Sequence, residues 1–455
     1  MPPKLHSSNS SCKRIFGATA STVRHVIGVM TGTSIDGVDV AVVRLDGCGL
    51  SMSATLLHHQ ACGLGKVRAG LKKLASDQPM KASEIAALSW KFADVLAAAT
   101  QRAWDKAQAI HGQGRKHGHA HETLPTTPDL ISLHGQTVYH KPPLSWQLLQ
   151  AAPIVQRCQA PVVCDLRSAD LSAGGQGAPL TPLADMILYR SALSSILLSD
   201  TNGKINDKIK AVSPRTLQAP VAIVNLGGFC NITALPGGSH TGQAWVERIT
   251  GHDVCLCNLM LNHIAIKGFE LPFDRGGKRA GRGKMMPTLL SRLTSLIGPD
   301  GGSSIRTNPK SRKSMGIMPE PLLRHLDQAI ESHGASDTAA TACGAIAARI
   351  AEDVLPRDDP RTAPFAIILA GGGSLHKRLG LEIGLACAAR ARFIGLSCQP
   401  PRIVHSDAIG IPSQAREAAC WAILGALAAD GYPPALPQIT GTKQQPTRAG
   451  IWLFA

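Results

Sequence analysis

Residues 251–263 read GHDVCLCNLMLNH, which brings two histidines, an aspartate and two cysteines into thirteen positions. Such a set invites two chemistries at first sight, metal ligation and thiol reactivity. The spacing argues against a metal. Cys255 and Cys257 are separated by one residue, whereas closed zinc sites space their paired cysteines by about two to four. Zinc held by His252, Asp253, Cys255 and Cys257 would be stoichiometric in the purified chain, and it would take Asp253 out of proton chemistry.

Glycine supplies the second kind of chemical position. GTSIDGVD at 32–39, NLGGFCNIT at 225–233 and AGGG at 370–373 each follow a short apolar run. Glycine permits positive φ and lets backbone N–H groups approach an anion, so each stretch could cradle phosphate or simply reverse the chain. None is a GxxxxGK[ST] loop and none opens a GxGxxG helix. One such turn alone reads as a tight turn; three in this order ask for a common explanation.

The elements that must carry these positions are legible from periodicity. VIGVMTGTSIDGVDVAVVRLDG, from Val26, reads as a β-hairpin with a polar, glycine-rich tip. Ile85, Leu88, Phe92, Val95, Leu96 and Ala99 recur at helical spacing, predicting a helix over 83–104 with Ser83 as N-cap. GQGRKHGHAHETLPTTP at 112–128 has no periodicity and reads as a surface insertion whose three histidines are solvated. LISLHGQT at 130–137 and PVVCDLR at 161–167 are apolar runs that end in polar residues, as buried strands do where they present chemistry. The irregular stretch 199–220 precedes a strand VAIVNLGG and reads as an interdomain boundary. A strand FAIILAGGG at 365–373 and helical patterns at 337–354 and 414–429 complete a second alternation of strands and helices. Two α/β domains follow.

Composition narrows the classes. A chain of 455 residues, 44% apolar and 17% charged, can build more than one core. Twelve cysteines without a CxxC pair or dense framework fit a reducing compartment better than a disulfide-stapled secreted fold. No apolar run reaches the roughly 18–20 residues of a membrane span. The first 24 residues are basic, rich in Ser and without acids, but lack a continuous apolar core; they read as a disordered extension. The net charge of +16 is scattered, aromatics are only 4%, and no nucleic-acid motif accompanies it, so a generally basic surface is the reading.

The order of the three glycine turns resembles the two phosphate loops and adenosine loop of the actin-like ATPase and sugar-kinase superfamily. Within it, GVMTGTSIDGVDVA at 28–41, SLHGQTVYHKP at 132–142, DLRSADLSAGGQGAPLTP at 165–182, NLGGFCNIT and the final GYPPALPQITG at 431–441 resemble the signature blocks of the bacterial anhydro-N-acetylmuramic acid kinase family. The likeness runs from about residue 26 to 443. It implies two actin-like ATPase (ribonuclease H-like) α/β domains with a nucleotide cleft between them. The expected division is an extension at 1–24, domains at 25–217 and 218–430, and a tail at 431–455 packing back on the cleft or the N-terminal domain. The implied reaction is ATP- and Mg2+-dependent phosphorylation of 1,6-anhydro-N-acetylmuramic acid with water opening the anhydro ring, in a cytoplasmic homodimer of peptidoglycan recycling. The partners are a small-molecule sugar and ATP, with neither nucleic acid nor membrane.

Residue by residue, the resemblance assigns Gly32, Thr33, Ser34, Ile35, Asp36, Gly37, Val38 and Asp39 to the first phosphate loop, with Asp36 holding hydrated magnesium. Asn225, Gly227 and Gly228 match the second loop, and Gly371, Gly372 and Gly373 the adenosine loop. His134, Gln136, Arg167, Asn258 and Glu417 match the sugar side, and Asp253 the catalytic base. The residues alone leave alternatives: a core histidine for His134, a structural ion pair for Arg167, a helix-N-terminal acid for Glu417. The sequence also departs from the family. Cys255-Leu256-Cys257 replace a Gly-Pro-Gly turn, and a cysteine forced to positive φ there would cost on the order of 1 kcal/mol. Leu149, Gly276, His376 and Gln414 replace a glycine, an aspartate, an asparagine and an acid. The alternative function is therefore a catalytically weakened relative that binds nucleotide or muropeptide sugar as a sensor.

Overall fold

The computed structural model describes residues 23–112, 123–198, 219–237, 243–298, 318–357, 363–396, 400–444 and 448–455. The extension to residue 22, the histidine-bearing part of the insertion at 113–122, and most of the irregular stretch at 199–218 lie outside them. The strands in chain order are β1 (Val23–Met30), β2 (Gly37–Asp46), β3 (Ser53–Gly63), β4 (Leu130–Leu133), β5 (Gln136–Lys141), β6 (Leu144–Leu148), β7 (Val162–Cys164), β8 (Val221–Leu226), β9 (Phe229–Leu235), β10 (Thr250–Leu256), β11 (Ala366–Ala370), β12 (Arg402–His405) and β13 (Ile451–Leu453).

Two compact units result, one from Met1–Ala192, Thr241–Glu247 and Ala415–Ala455, the other from Leu193–His240 and Arg248–Gln414. The sheet of the first runs β13-β7-β4-β1-β2-β3. There β1, β2 and β3 form an antiparallel meander, while β4 and β7 continue parallel from β1. The second sheet runs β10-β9-β8-β11-β12. Its β8, β9 and β10 form the same meander, and β11 and β12 the same parallel extension. One plan is thus built twice, with β13 added antiparallel to β7 in the first unit alone.

Each sheet packs its apolar residues against helices. In the first unit Ile27, Val29, Val38, Val40 and Val42 meet Phe92, Leu96 and Trp104 of the helix Ala82–Gly112. That helix starts before Ser83, which is therefore a first-turn residue and not the N-cap. The Glu84 carboxylate accepts from the Lys81 N–H at 2.7 Å, so the box is closed from Lys81. The helix also runs eight residues past the expected end, because Ala103, Trp104 and Ala107 extend the buried stripe. In the second unit the alanine-rich helix Ala335–Val354 is buried among β8, β10 and the helix Asn258–Phe269.

The expected boundaries at 217/218 and 430/431 do not describe this division. The helix Arg416–Ala429, expected in the C-terminal domain, belongs to the first unit. It lies against β1 so closely that a Cβ on Gly28 would sit 1.8 Å from the Ala418 carbonyl oxygen. Gly425 faces Ser132 of β4 in the same way, with a virtual Cβ 2.5 Å from the serine Cβ. Only small residues on both surfaces allow this approach. Gly28→Val should therefore destabilise the protein by about 3 kcal/mol or prevent folding of the first unit, read as a fall in the denaturant midpoint, whereas Gly63→Ala, with open space around it, should change it little.

Candidate functional site

The loop between β1 and β2 is shorter than the first phosphate loop expected at 32–39. Thr31–Asp36 forms the turn, and Gly37, Val38 and Asp39 already belong to β2. Val38 is fully buried in the core, so its side chain is not left for a ligand, and the half-buried Asp39 faces His59 of β3 at 2.9 Å. Ile35 has φ 51° with its side chain buried in the core. A β-branched residue there is strained by on the order of 1–2 kcal/mol, a pattern that concentrates at functional turns. Gln136, fully buried, donates from Nε2 to the Gly32 carbonyl at 3.3 Å and so braces the turn. Asp36 is exposed at the tip. Among the described residues no three His, Cys, Asp or Glu side chains gather as metal ligands. One exposed carboxylate fits Mg2+, which keeps water and phosphate in most of its shell, and does not fit zinc.

A polar cluster lies at the end of β4. His134 is buried, its ring 4.5 Å from that of Trp421 in the helix Arg416–Ala429. Its Nε2 accepts from an Arg167 guanidinium N–H at 3.0 Å, and the Gln147 side-chain amide lies 2.7 Å from the same nitrogen. Burial first, and then the Arg167 charge, pushes His134 well below its ordinary value, so the ring is neutral. His140, on β5, is pushed down to about 4 for the same two reasons. Arg167 does not end a strand as expected: β7 stops at Cys164, Asp165 turns at φ 53°, and Arg167 opens the helix Arg167–Ser172. It also donates to the Gly177 carbonyl at 2.8 Å. Glu417 is half-buried in the first turn of its helix.

The block 165–182 is organised by Asp170, which the sequence reading passed over. Its buried carboxylate accepts from the Gly177 N–H at 2.7 Å, from the Thr440 hydroxyl at 2.7 Å and from the Thr442 hydroxyl. Gly175 lies so close that a Cβ would overlap the carboxylate. The Gln176 N–H bonds the Thr440 carbonyl at 2.9 Å. Two blocks far apart in sequence are thus one structure. The signal was present: an acid in the middle of an apolar, glycine-rich block needs partners, and threonines stand in the last block.

In the second unit three blocks converge at the C-terminal ends of β8 and β11, adjacent parallel strands. The N–H of Asn258 bonds the Gly227 carbonyl at 3.0 Å and its Nδ2 donates to the Leu226 carbonyl at 3.0 Å. A Cβ on Gly371 would lie 2.6 Å from Asn225 Oδ1, and one on Gly373 2.7 Å from Asn258 Oδ1. Gly372 lies between them. Asn225, Gly227, Gly228, Asn258 and Gly371–Gly373 are therefore one constellation, with the N-terminus of the helix Asn258–Phe269 in it, its Asn258 and Leu259 N–H groups bonded to the Gly227 and Gly228 carbonyls. His376, which replaces an asparagine, N-caps the helix Lys377–Phe393 by accepting from the Leu379 N–H at 3.2 Å, a task an asparagine also performs.

Asp253 sits on β10, half-buried and paired in register with Asn231. A bulge follows between Asp253 and Cys255, a device that re-aims side chains beside functional sites. Cys255, Leu256 and Cys257 are fully buried in the core, and none has positive φ; Cys257 precedes the helix at φ −132°. The positive φ foreseen for a cysteine in a glycine turn is not required, because strand β10 passes into the helix through Cys257 alone. Burial, and then Cys255 and Cys343, push the Cys257 thiol far up, so it is inert. His252 faces Asp353 at 3.3 Å. Neither the metal nor the reactive-thiol reading of this stretch fits.

A repeated meander with two parallel strands, carrying glycine turns at its strand ends, defines a duplicated ribonuclease H-like fold of the actin-like ATPase class. The family model for anhydro-N-acetylmuramic acid kinase matches residues 24–206 and 210–453. Curated relatives bear the same description: one from Synechococcus sp. (strain CC9605) is 30% identical, with 92% of this chain and 97% of that one covered. Another, from Bacillus thuringiensis (strain Al Hakam), is 27% identical over 93% and 96%. The chain belongs to the anhydro-N-acetylmuramic acid kinase family. Among solved structures it resembles a ROK family glucokinase from Streptomyces griseus at a TM-score of 0.35 and 14% identity, covering 88% of this chain and 99% of that one, too loose a likeness to bear on its chemistry.

The neutral His134 has a consequence for pH. The unfolded chain's histidine takes up a proton near its ordinary 6.5, while the folded one resists it. Its contribution is therefore fully present above pH 6.5 and is lost as pH falls below that value toward the depressed folded one. Thermal melts at pH 7.5 and 5.5 should show a loss in the wild type that is smaller in His134→Gln.

Proposed function

We propose that this chain is an ATP-dependent kinase that turns 1,6-anhydro-N-acetylmuramic acid and water into N-acetylmuramic acid 6-phosphate and ADP. The observation that carries the reading is the family match across residues 24–206 and 210–453; Asp253, which the resemblance assigns as base, stands one bulge before the Asn258 constellation. The backbone of Thr31–Asp36 and of the Gly227–Gly228 turn would bind the ATP phosphates, and Gly371–Gly373 the adenosine side. Magnesium, held through water at Asp36, would offset charge on the transferring phosphoryl group.

On the sugar side Arg167, aimed by neutral His134, would meet the lactyl carboxylate and Glu417 would line the same substrate, whereas Gln136, fully buried against the Gly32 carbonyl, would act through the turn it braces and not by touching the sugar. Asp253 takes a proton from water. The new C–O bond forms at the anomeric carbon as its bond to the 6-oxygen breaks, and that oxygen bonds the γ-phosphorus as ADP leaves. Cytoplasmic peptidoglycan recycling by a homodimer belongs to the same proposal.

Purified protein with ATP, Mg2+ and the anhydro sugar should release the 6-phosphate, and Asp253→Asn should lower turnover by about 10³-fold with ATP affinity unchanged. Saturable ligand binding without any product in the wild type would instead establish the sensor reading.

A further inference from the structure

The turn Thr31–Asp36 is held from outside at two carbonyl oxygens. Gln136 takes that of Gly32, which also closes the turn by accepting from the Ile35 N–H at 3.2 Å. The second clamp is Arg68, whose Nε donates to the Ile35 carbonyl at 2.8 Å. Arg68 stands near the start of the helix Val67–Ala75, which is anchored in the core by Val67 and Leu71. Arg68 itself is exposed, so it is not part of the core.

The bond falls on the one residue of the turn with positive φ. Burial of the Ile35 side chain fixes one side of that peptide, and Arg68 fixes the other. A carbonyl oxygen free to swing toward phosphate would repel it. With the Gly32 and Ile35 carbonyls engaged, the turn offers Thr33, Ser34 and Asp36, all exposed or half-buried, as a run of backbone N–H and hydroxyl donors suited to a terminal phosphate.

We infer that Arg68 is a positioning residue for the phosphates of a nucleoside triphosphate: it contacts no ligand, and locks the Ile35 peptide so that the turn's donors face the anion. The inference rests on the nucleotide-binding reading above and adds to it a residue outside every motif.

The test uses the full chain as wild type, Arg68→Met and Arg68→Lys, titrated with ATP and Mg2+ and then assayed with the sugar. Arg68→Met should raise the ATP dissociation constant and KM about 5- to 20-fold, the range of one charge-assisted hydrogen bond. The KM for sugar should stay within about twofold and the melting temperature should hold, since Arg68 is solvent-exposed. Arg68→Lys, which keeps the charge but not the planar Nε donor, should stay weakened. Full ATP affinity in Arg68→Met would overturn the inference while leaving the kinase reading intact. Complete rescue by lysine would replace positioning with plain charge attraction, and equal rises in both KM values with a lowered melting temperature would make Arg68 merely structural. A wild type that binds no ATP would remove both readings.

Discussion

The close packing of the helix Arg416–Ala429 on β1 and β4 is the constraint on which the first unit depends. At Gly28 the strand backbone meets the helix backbone directly, and at Gly425 the helix backbone rests on the Ser132 and Val163 side chains. That approach sets Trp421 against the His134 ring and fixes where Glu417 stands. The helix start is held by Arg416, fully buried and donating from Nε to Asp185 at 2.8 Å. Burial alone would lower the arginine's proton affinity, but the Asp185 carboxylate beside it raises it by more, so the guanidinium stays protonated. Such a pair adds little net stability relative to an apolar pair, yet it penalises any other placement of the helix.

The sugar-side polar groups follow from that placement. The neutral imidazole of His134 and the Gly177 carbonyl together orient the Arg167 guanidinium. Asp170 does the complementary work next door, gathering the Gly174–Gly177 loop and the Thr440–Thr442 segment around one carboxylate.

In the second unit the same economy rests on Asn258, which closes the β8–β9 turn with backbone and side chain and leaves room beside it only for glycine. The departures from the family pattern fall into place around it. Cys255 and Cys257 enter the core as small apolar residues, and His376 takes over a cap. Each of these residues has a place in this fold, the cysteines in the core and His376 at a helix start.

Much of the fold was legible because its signals are local. Alternating and continuous apolar runs marked the β1–β2 hairpin, β8 and β11, the 3.6-residue stripe marked the helix Ala82–Gly112, and glycines marked the turns. The candidate site was legible only as blocks, through resemblance. What the sequence by itself determined is therefore which segments are strands, helices and turns, and which family they belong to. Tertiary structure alone decided that the helix Arg416–Ala429 joins the first sheet, that Asp170 ties blocks 165–182 and 431–443 together, and that Arg416 is buried on Asp185. Those outcomes depend on contacts between residues hundreds of positions apart, set by close packing and by the need to pair buried polar groups, and no local period encodes them.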